Sequence, residues 1–133
     1  MQVFEPRAMS IPVHNALNEL RTKNETNKDR LKEQKNQAVE LYTYLATWGL
    51  MRLKAEEKAL KKEGKKEVVI KFFECLALDE LSNIRDLAGD KGLSKLKSLN
   101  SEEYLGLTGL GLSLAQEFSF WAEAVYHDIT GAN

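Results

Sequence analysis

The sequence predicts an all-α fold, a compact helical bundle of four to five helices with one long charged-ended helix, on three observations. Both prolines fall at positions 6 and 12, leaving residues 13–133 with none. Those residues are rich in Leu, Ala, Lys and Glu, which lose least on entering a helix. Apolar side chains recur at steps of three and four rather than two, the period of a helix face. At 133 residues and 15.1 kDa there is room for one core, so the chain reads as a single helical domain over residues 1–133 with a flexible start at 1–9.

In the first helix Ser10 can cap, with Ile11 and Pro12 in the opening turn, where a missing N–H does no harm, and Val13, Ala16, Leu17 and Leu20 form the apolar face. Residues 21–28 are polar and read as a connection. The second helix starts at Thr26 or Asn27, both good caps, and meets no strong breaker until Gly64. Leu31, Ala38 and Leu45 recur every seven residues, interleaved with Leu41, Trp48 and Ala55, as in a coiled-coil seam. A second stripe, Val39, Tyr42, Ala46, Leu50 and Leu53, predicts that the stretch 38–53 is buried on most sides. Gly49 inside it marks close packing or a kink, since glycine costs about 1 kcal/mol relative to Ala in a helix interior.

A third helix is expected over 67–88, with Ile70, Phe73, Ala77, Leu81, Ile84 and Ala88 on one face and Gly89 as its C-cap. Leu93, Leu96 and Leu99 then give a short amphipathic turn. The last helix has the clearest start: Asn100 and Glu103 have capping-box spacing. It is expected to run to His127 with Leu107, Leu110, Leu114, Phe118, Trp121, Val125 and Ile129 inward. Gly106, Gly109 and Gly111 predict a break or a close helix crossing in its first turns.

Composition narrows the function classes. One cysteine excludes an internal disulfide and any Cys-rich zinc module, and the opening residues do not read as a signal peptide, so a cytoplasmic, soluble protein is expected. The longest stretch without a charged side chain, residues 104–116, is too short to span a membrane. Gly106, Gly109 and Gly111 spell neither the dinucleotide fingerprint nor a P-loop, and helix packing accounts for them better. Cys75, between Phe73 and Leu76, reads as a buried inert thiol. Glu123, His127 and Asp128 are too few for a metal bundle, and His14 is the only other histidine. Trp48 and Trp121 could stack on bases, but both fall on apolar stripes and read as core. No nucleophile, base and orienter lie at usable spacing, so neither an enzyme nor a cofactor is expected.

Charge layout is the positive signal. The net charge of −1 hides a division: residues 1–66 hold 14 Lys/Arg against 9 Asp/Glu, whereas 67–133 hold 5 against 11. Lys54, Lys58, Lys62 and Lys66 are four apart, so a continuous helix would stack them on one face with Lys61 and Lys65 beside them. Like charges at that spacing repel by roughly 0.2 to 0.5 kcal/mol per pair. Three readings meet this row: a phosphate backbone, the acidic half of a neighbouring copy, or a solvated helix end. Lys28, Lys32 and Lys35 form a shorter row with the same three readings.

The Tyr-rich helix entering Trp48-Gly49-Leu50-x-x-Leu53, together with Tyr104, Thr108, Leu114, Trp121 and Ala122 on the last helix, resembles the small helical subunit of type III CRISPR effector complexes, the Cmr small-subunit family. The likeness covers residues 38–55 and 103–126. This chain differs from the family in Trp48, where a polar residue usually precedes the Gly-Leu pair, and in its lysine-rich extension. The resemblance implies a non-catalytic subunit of a CRISPR ribonucleoprotein. Such a subunit stacks with copies of itself beside the other effector subunits and presents basic residues to crRNA, target RNA or single-stranded nucleic acid. Arg52, Lys54, Lys58, Lys61, Lys62, Lys65 and Lys66 are the candidate phosphate contacts. The alternative is a helical protein-protein adaptor that assembles through its oppositely charged halves without nucleic acid.

Overall fold

The computed structural model describes residues 7–130 and is helical throughout, with no strand among them. The described residues form six α-helices, α1 Arg7–Lys23, α2 Lys28–Trp48, α3 Leu50–Ala59, α4 Glu63–Leu76, α5 Gly92–Ser98 and α6 Ser101–Val125, with a single 3₁₀ turn among them at Arg85–Leu87. That is one more than the upper expectation, because the long second helix is divided. One cluster of buried side chains joins all six.

Helix α1 starts at Arg7, ahead of Ser10, so residues 7–9 belong to a helix rather than to a flexible start, and Met9 is buried. Residues 1–6 of that expected start lie outside the described residues. Pro12 is then the sixth helical residue, a position where its missing N–H forfeits a bond to the Ala8 carbonyl. The face Met9, Val13, Ala16, Leu17 and Leu20 is buried, and contact with α4 and α6 outweighs that cost.

Asn27 caps α2, its side chain accepting from the Arg30 amide at 3.0 Å. The helix then ends at Trp48, where Gly49 adopts φ +87° and ψ 171°. Only a residue without Cβ reaches that backbone region cheaply. The hydroxyl of Tyr104 accepts the Met51 amide at 3.1 Å on the far side of the bend. A second interruption at Leu60, φ −64° and ψ 137°, has no breaker residue behind it. Here the half-buried Leu60 packs against the core, and tertiary contact overrides helix propensity.

Burial on α2 is narrower than the two stripes predict. Leu31, Gln34, Gln37, Ala38, Leu41 and Leu45 are buried, whereas Tyr42 and Ala46 face solvent. Helix α4 stops at Leu76, short of the expected 88. Ser82 and Asn83 turn the chain: the Ile84 amide donates to Ser82 Oγ at 3.1 Å, and Asn83 takes φ +57°, a left-handed value that Asn tolerates. The inward residues are accordingly Val68, Val69, Phe72, Phe73, Cys75 and Leu76, and Ile70 is exposed. Gly89 has φ +89° but follows the 3₁₀ turn.

Helix α6 runs unbroken through its three glycines behind the expected capping box, with Asn100 accepting from the Glu103 amide at 2.8 Å and Glu103 from the Asn100 amide at 3.0 Å. A Cβ on Gly111 would lie 3.3 Å from both Leu45 and Leu50, which marks the close crossing. Gly106 and Gly109 face open space instead. Helices α2 and α6 lie antiparallel, tied by Ser119 Oγ to the Val39 carbonyl (3.0 Å) and by Tyr126 to Gln34 (2.7 Å). Alongside, α1 is parallel to α6, with Ser10 donating to Glu117 at 2.6 Å and Arg21 to the Val125 carbonyl at 2.7 Å.

A polar network, buried at Gln34 and Tyr126 and half-buried at Arg30 and Glu67, ties this body together. Arg30 donates two bonds to Glu67, 2.9 and 2.8 Å. Gln34 donates to the same carboxylate at 3.0 Å and accepts from the Tyr126 hydroxyl. The Arg30 guanidinium holds the Glu67 carboxyl below its ordinary range, and burial pushes the Tyr126 phenol up.

Candidate nucleic-acid interface

The lysine row is not one row. Lys54 belongs to the face Leu50, Leu53, Lys54 and Glu57 of α3, spaced i, i+3, i+4 and i+7, and that face packs inward. It is 5% exposed. Its ammonium donates to Glu57 Oε1 and to the Leu87 carbonyl, both at 2.7 Å, and lies 4.8 Å from the centre of the Phe73 ring. Gly92 closes over it: a Cβ there would overlap the Lys54 side chain and stand 2.6 Å from the Leu87 carbonyl. With its charge spent internally, Lys54 is withdrawn from any contact with a phosphate, against its assignment as a phosphate ligand.

The rest of α3 and the connection after it look outward. Between positions 48 and 62 the exposed residues are Trp48, Met51, Arg52, Ala55, Lys58, Ala59, Lys61 and Lys62. They include four cations and no acid. Glu56 and Glu57, the two acids in that span, are half-buried, and Glu57 is already paired with Lys54. Lys58, Lys61 and Lys62 make no ion pair among the described residues. Arg52 and Lys58 are six residues apart, about 9 Å along the helix axis. The break at Leu60 then carries Lys61 and Lys62 past the helix end. Glu63 is exposed just beyond them. Asp90 lines the other wall of a shallow hollow of about 180 Å³ beside Lys58.

Lys65 and Lys66 sit in the first turn of α4 and are half-buried, so they flank this surface rather than continue it. Their position is fixed by Gly64, whose amide donates to Glu33 Oε1 at 3.0 Å and where a Cβ would come within 2.7 Å of the Arg30 carbonyl. The second row divides in the same way. Lys28 and Lys32 are exposed, but Lys35 donates to the Ile129 carbonyl at 2.7 Å and pairs with Glu123 at 3.4 Å.

Trp48 corrects the expectation that both tryptophans are core. It is 52% exposed, and the Arg52 guanidinium lies 4.6 Å from its ring centre. The signal was present in the sequence: a residue just before a glycine bend is at a helix end, where a seam stops facing the core. Trp121 is half-buried, its ring 5.2 Å from His14 and its N–H donating to Glu117 at 3.2 Å.

The thiol and carboxylate candidates, Cys75, Glu123 and Asp128, are engaged or enclosed. Asp128 pairs with Arg21, whose hydrogen bonds hold its carboxyl below the ordinary range. Burial pushes the Cys75 thiol up to about 12, which leaves it protonated and unreactive. No three His, Cys, Asp or Glu side chains gather as a metal set among the described residues, and no described helix is long and apolar enough to cross a membrane. Compared with known protein families, curated proteins and solved structures, the chain matches none.

Proposed function

We propose that this chain is a non-catalytic assembly subunit of a ribonucleoprotein, of the kind represented by the small subunits of type III CRISPR effector complexes. It holds single-stranded nucleic acid, crRNA or target, by its phosphate backbone. The observation that carries the reading is the stretch formed by α3 and the connection after it, where Arg52, Lys58, Lys61 and Lys62 stand exposed and no acid between positions 48 and 62 does. Cations so placed gain affinity by releasing counterions and read no bases. Burial of Lys54 against Glu57 helps, because it removes a carboxylate from that stretch. Self-stacking belongs to the same proposal and draws on the opposite charges of the two halves.

Binding of a fluorescein-labelled 12-nucleotide RNA, followed by anisotropy between low and moderate salt, tests the reading. Affinity should fall steeply with salt, and reversing Lys58, Lys61 and Lys62 to Glu should abolish it, while reversing Lys28 and Lys32 has a smaller effect. No affinity at low salt, or an unchanged affinity after reversal of Lys58, Lys61 and Lys62, would overturn it. In that event salt-sensitive self-association measured by light scattering would favour the adaptor reading, which the opposite charges of the two halves also suit.

A further inference from the structure

We infer that Trp48, backed by Arg52, is a stacking platform for an unpaired nucleobase, so that this surface grips the bases of a single strand as well as its phosphates. The inference rests on the nucleic-acid reading above and adds to it the part of the ligand that a lysine surface does not need.

Three observations lead to it. An indole that is half exposed is an unfavourable arrangement for an isolated protein, because apolar surface left in water forgoes roughly 25 cal/mol per Å² of burial. Nothing in the fold requires Trp48 to be there, since Leu45 and Leu50 on either side are fully buried and close the core without it. The ring is also held in place. Trp48 is the last residue of α2, the following Gly49 donates its amide to the Leu45 carbonyl at 2.9 Å, and the Arg52 guanidinium lies over the indole. A cation against one part of a ring fixes its orientation and leaves the remaining surface for a second planar partner.

The surroundings select the kind of partner. From Trp48, at the end of α2, the exposed residues run through Arg52 and Lys58 on α3 to Lys61 and Lys62 in the connection after it. A strand whose base stacks on the indole would therefore pass its phosphates along cations, with Asp90, across the hollow beside Lys58, the exposed carboxylate nearest that path before Glu63. Aromatic surface combined with a cationic track is the arrangement that holds single strands with little sequence preference, since every base has a π face. An apolar protein partner would need only the ring and Met51 and would gain nothing from Lys58, Lys61 and Lys62, which make no ion pair among the described residues.

The experiment compares two probes of equal length and charge, a 12-nucleotide oligouridylate RNA and an abasic sugar-phosphate oligomer, at low salt. Wild type should bind the RNA about tenfold more tightly, the scale of one stacked base, and RNA alone should quench indole fluorescence. Trp48→Ala should lose the preference and the quenching yet keep its affinity for the abasic oligomer, and Trp48→Phe should restore part of both. An unchanged melting temperature, expected for so exposed a side chain, shows that the variants fold. Equal binding of RNA by wild type and Trp48→Ala, with the Lys58, Lys61 and Lys62 reversal still weakening it, overturns the platform and leaves the backbone reading standing. Binding of neither probe overturns both. Loss of self-association in Trp48→Ala with RNA affinity intact assigns the ring to a protein contact and overturns the platform as well.

Discussion

The middle and the end of α3 carry the same residue type with opposite consequences. Lys54 and Lys58 are one helical turn apart. The first spends its charge on Glu57, Leu87 and the Phe73 ring, and the second has no partner among the described residues and faces solvent. A lysine in the middle is a structural pin that fastens α3 to α4 and to the segment before α5. At the end it is free to meet an anion. Spacing in the sequence groups the two together, and position along the axis separates them: Lys54 lies under Gly92 and the Leu87 carbonyl, whereas Lys58 stands a turn further on, next to the helix end at Ala59.

The strongest way to break this comparison is to truncate both. Lys54→Ala should cost about 3 kcal/mol in urea unfolding, because it leaves a half-buried Glu57 and the Leu87 carbonyl without their ammonium. Lys58→Ala should stay within about 0.5 kcal/mol. Equal losses would mean that the two positions do not differ as described.

A smaller effect is expected where an inward polar group shares its load. Tyr126→Phe removes the donor that satisfies Gln34 and should cost about 1 to 2 kcal/mol, less than the Lys54 change, because Arg30, Gln34 and Glu67 keep their mutual bonds. The outward side can be sharpened in the other direction. Gly106→Ala and Gly109→Ala should each stabilise α6 by up to about 1 kcal/mol in thermal melting, since a methyl there meets nothing. Gly111→Ala, pressed against Leu45 and Leu50, should yield no gain.

The smallest effect concerns pH. Glu67 titrates below its ordinary 4.5 because Arg30 stabilises the carboxylate. Its contribution is therefore present above 4.5 and is lost as pH falls through the lowered folded value. With both partners partly exposed this amounts to less than about 1 kcal/mol. Glu67→Gln should flatten the acid side of a stability-against-pH curve, and a curve of unchanged slope would show the pair to be inert.

Much of the helical body was legible in the sequence because its signals are local. The capping box of Asn100 and Glu103, the Asn27 cap and the faces of α1 and α6 are set by neighbours three and four residues away. The interruptions were harder to read. Gly49 announced itself only as a kink or a packing site, and nothing near Leu60 marks a break, because a packed side chain rather than a propensity decides it. Ser82 and Asn83 ended the third helix through hydrogen bonds that periodicity does not register. The same limit affected the candidate interface. Four of its seven residues, Arg52, Lys58, Lys61 and Lys62, are exposed. Lys65 and Lys66 lie at its edge, and Lys54 is withdrawn. The inward set Leu50, Leu53, Lys54 and Glu57 could have been read as a face, whereas the charge of Lys54 directed attention outward. Trp48 was missed for the converse reason, since hydrophobicity suggested burial and the helix end denied it.

The bend at Gly49 depends on handedness. Its torsions, φ +87° and ψ 171°, are the mirror image of a conformation that ordinary L-residues occupy with ease. Every other genetically encoded residue is therefore disfavoured at this position by its chirality, whatever its size or polarity, whereas a D-alanine introduced by chemical ligation has the right stereochemistry for it. The direction in which α3 leaves α2, and with it the placement of the whole cationic surface, is thus set by the one achiral amino acid at the joint.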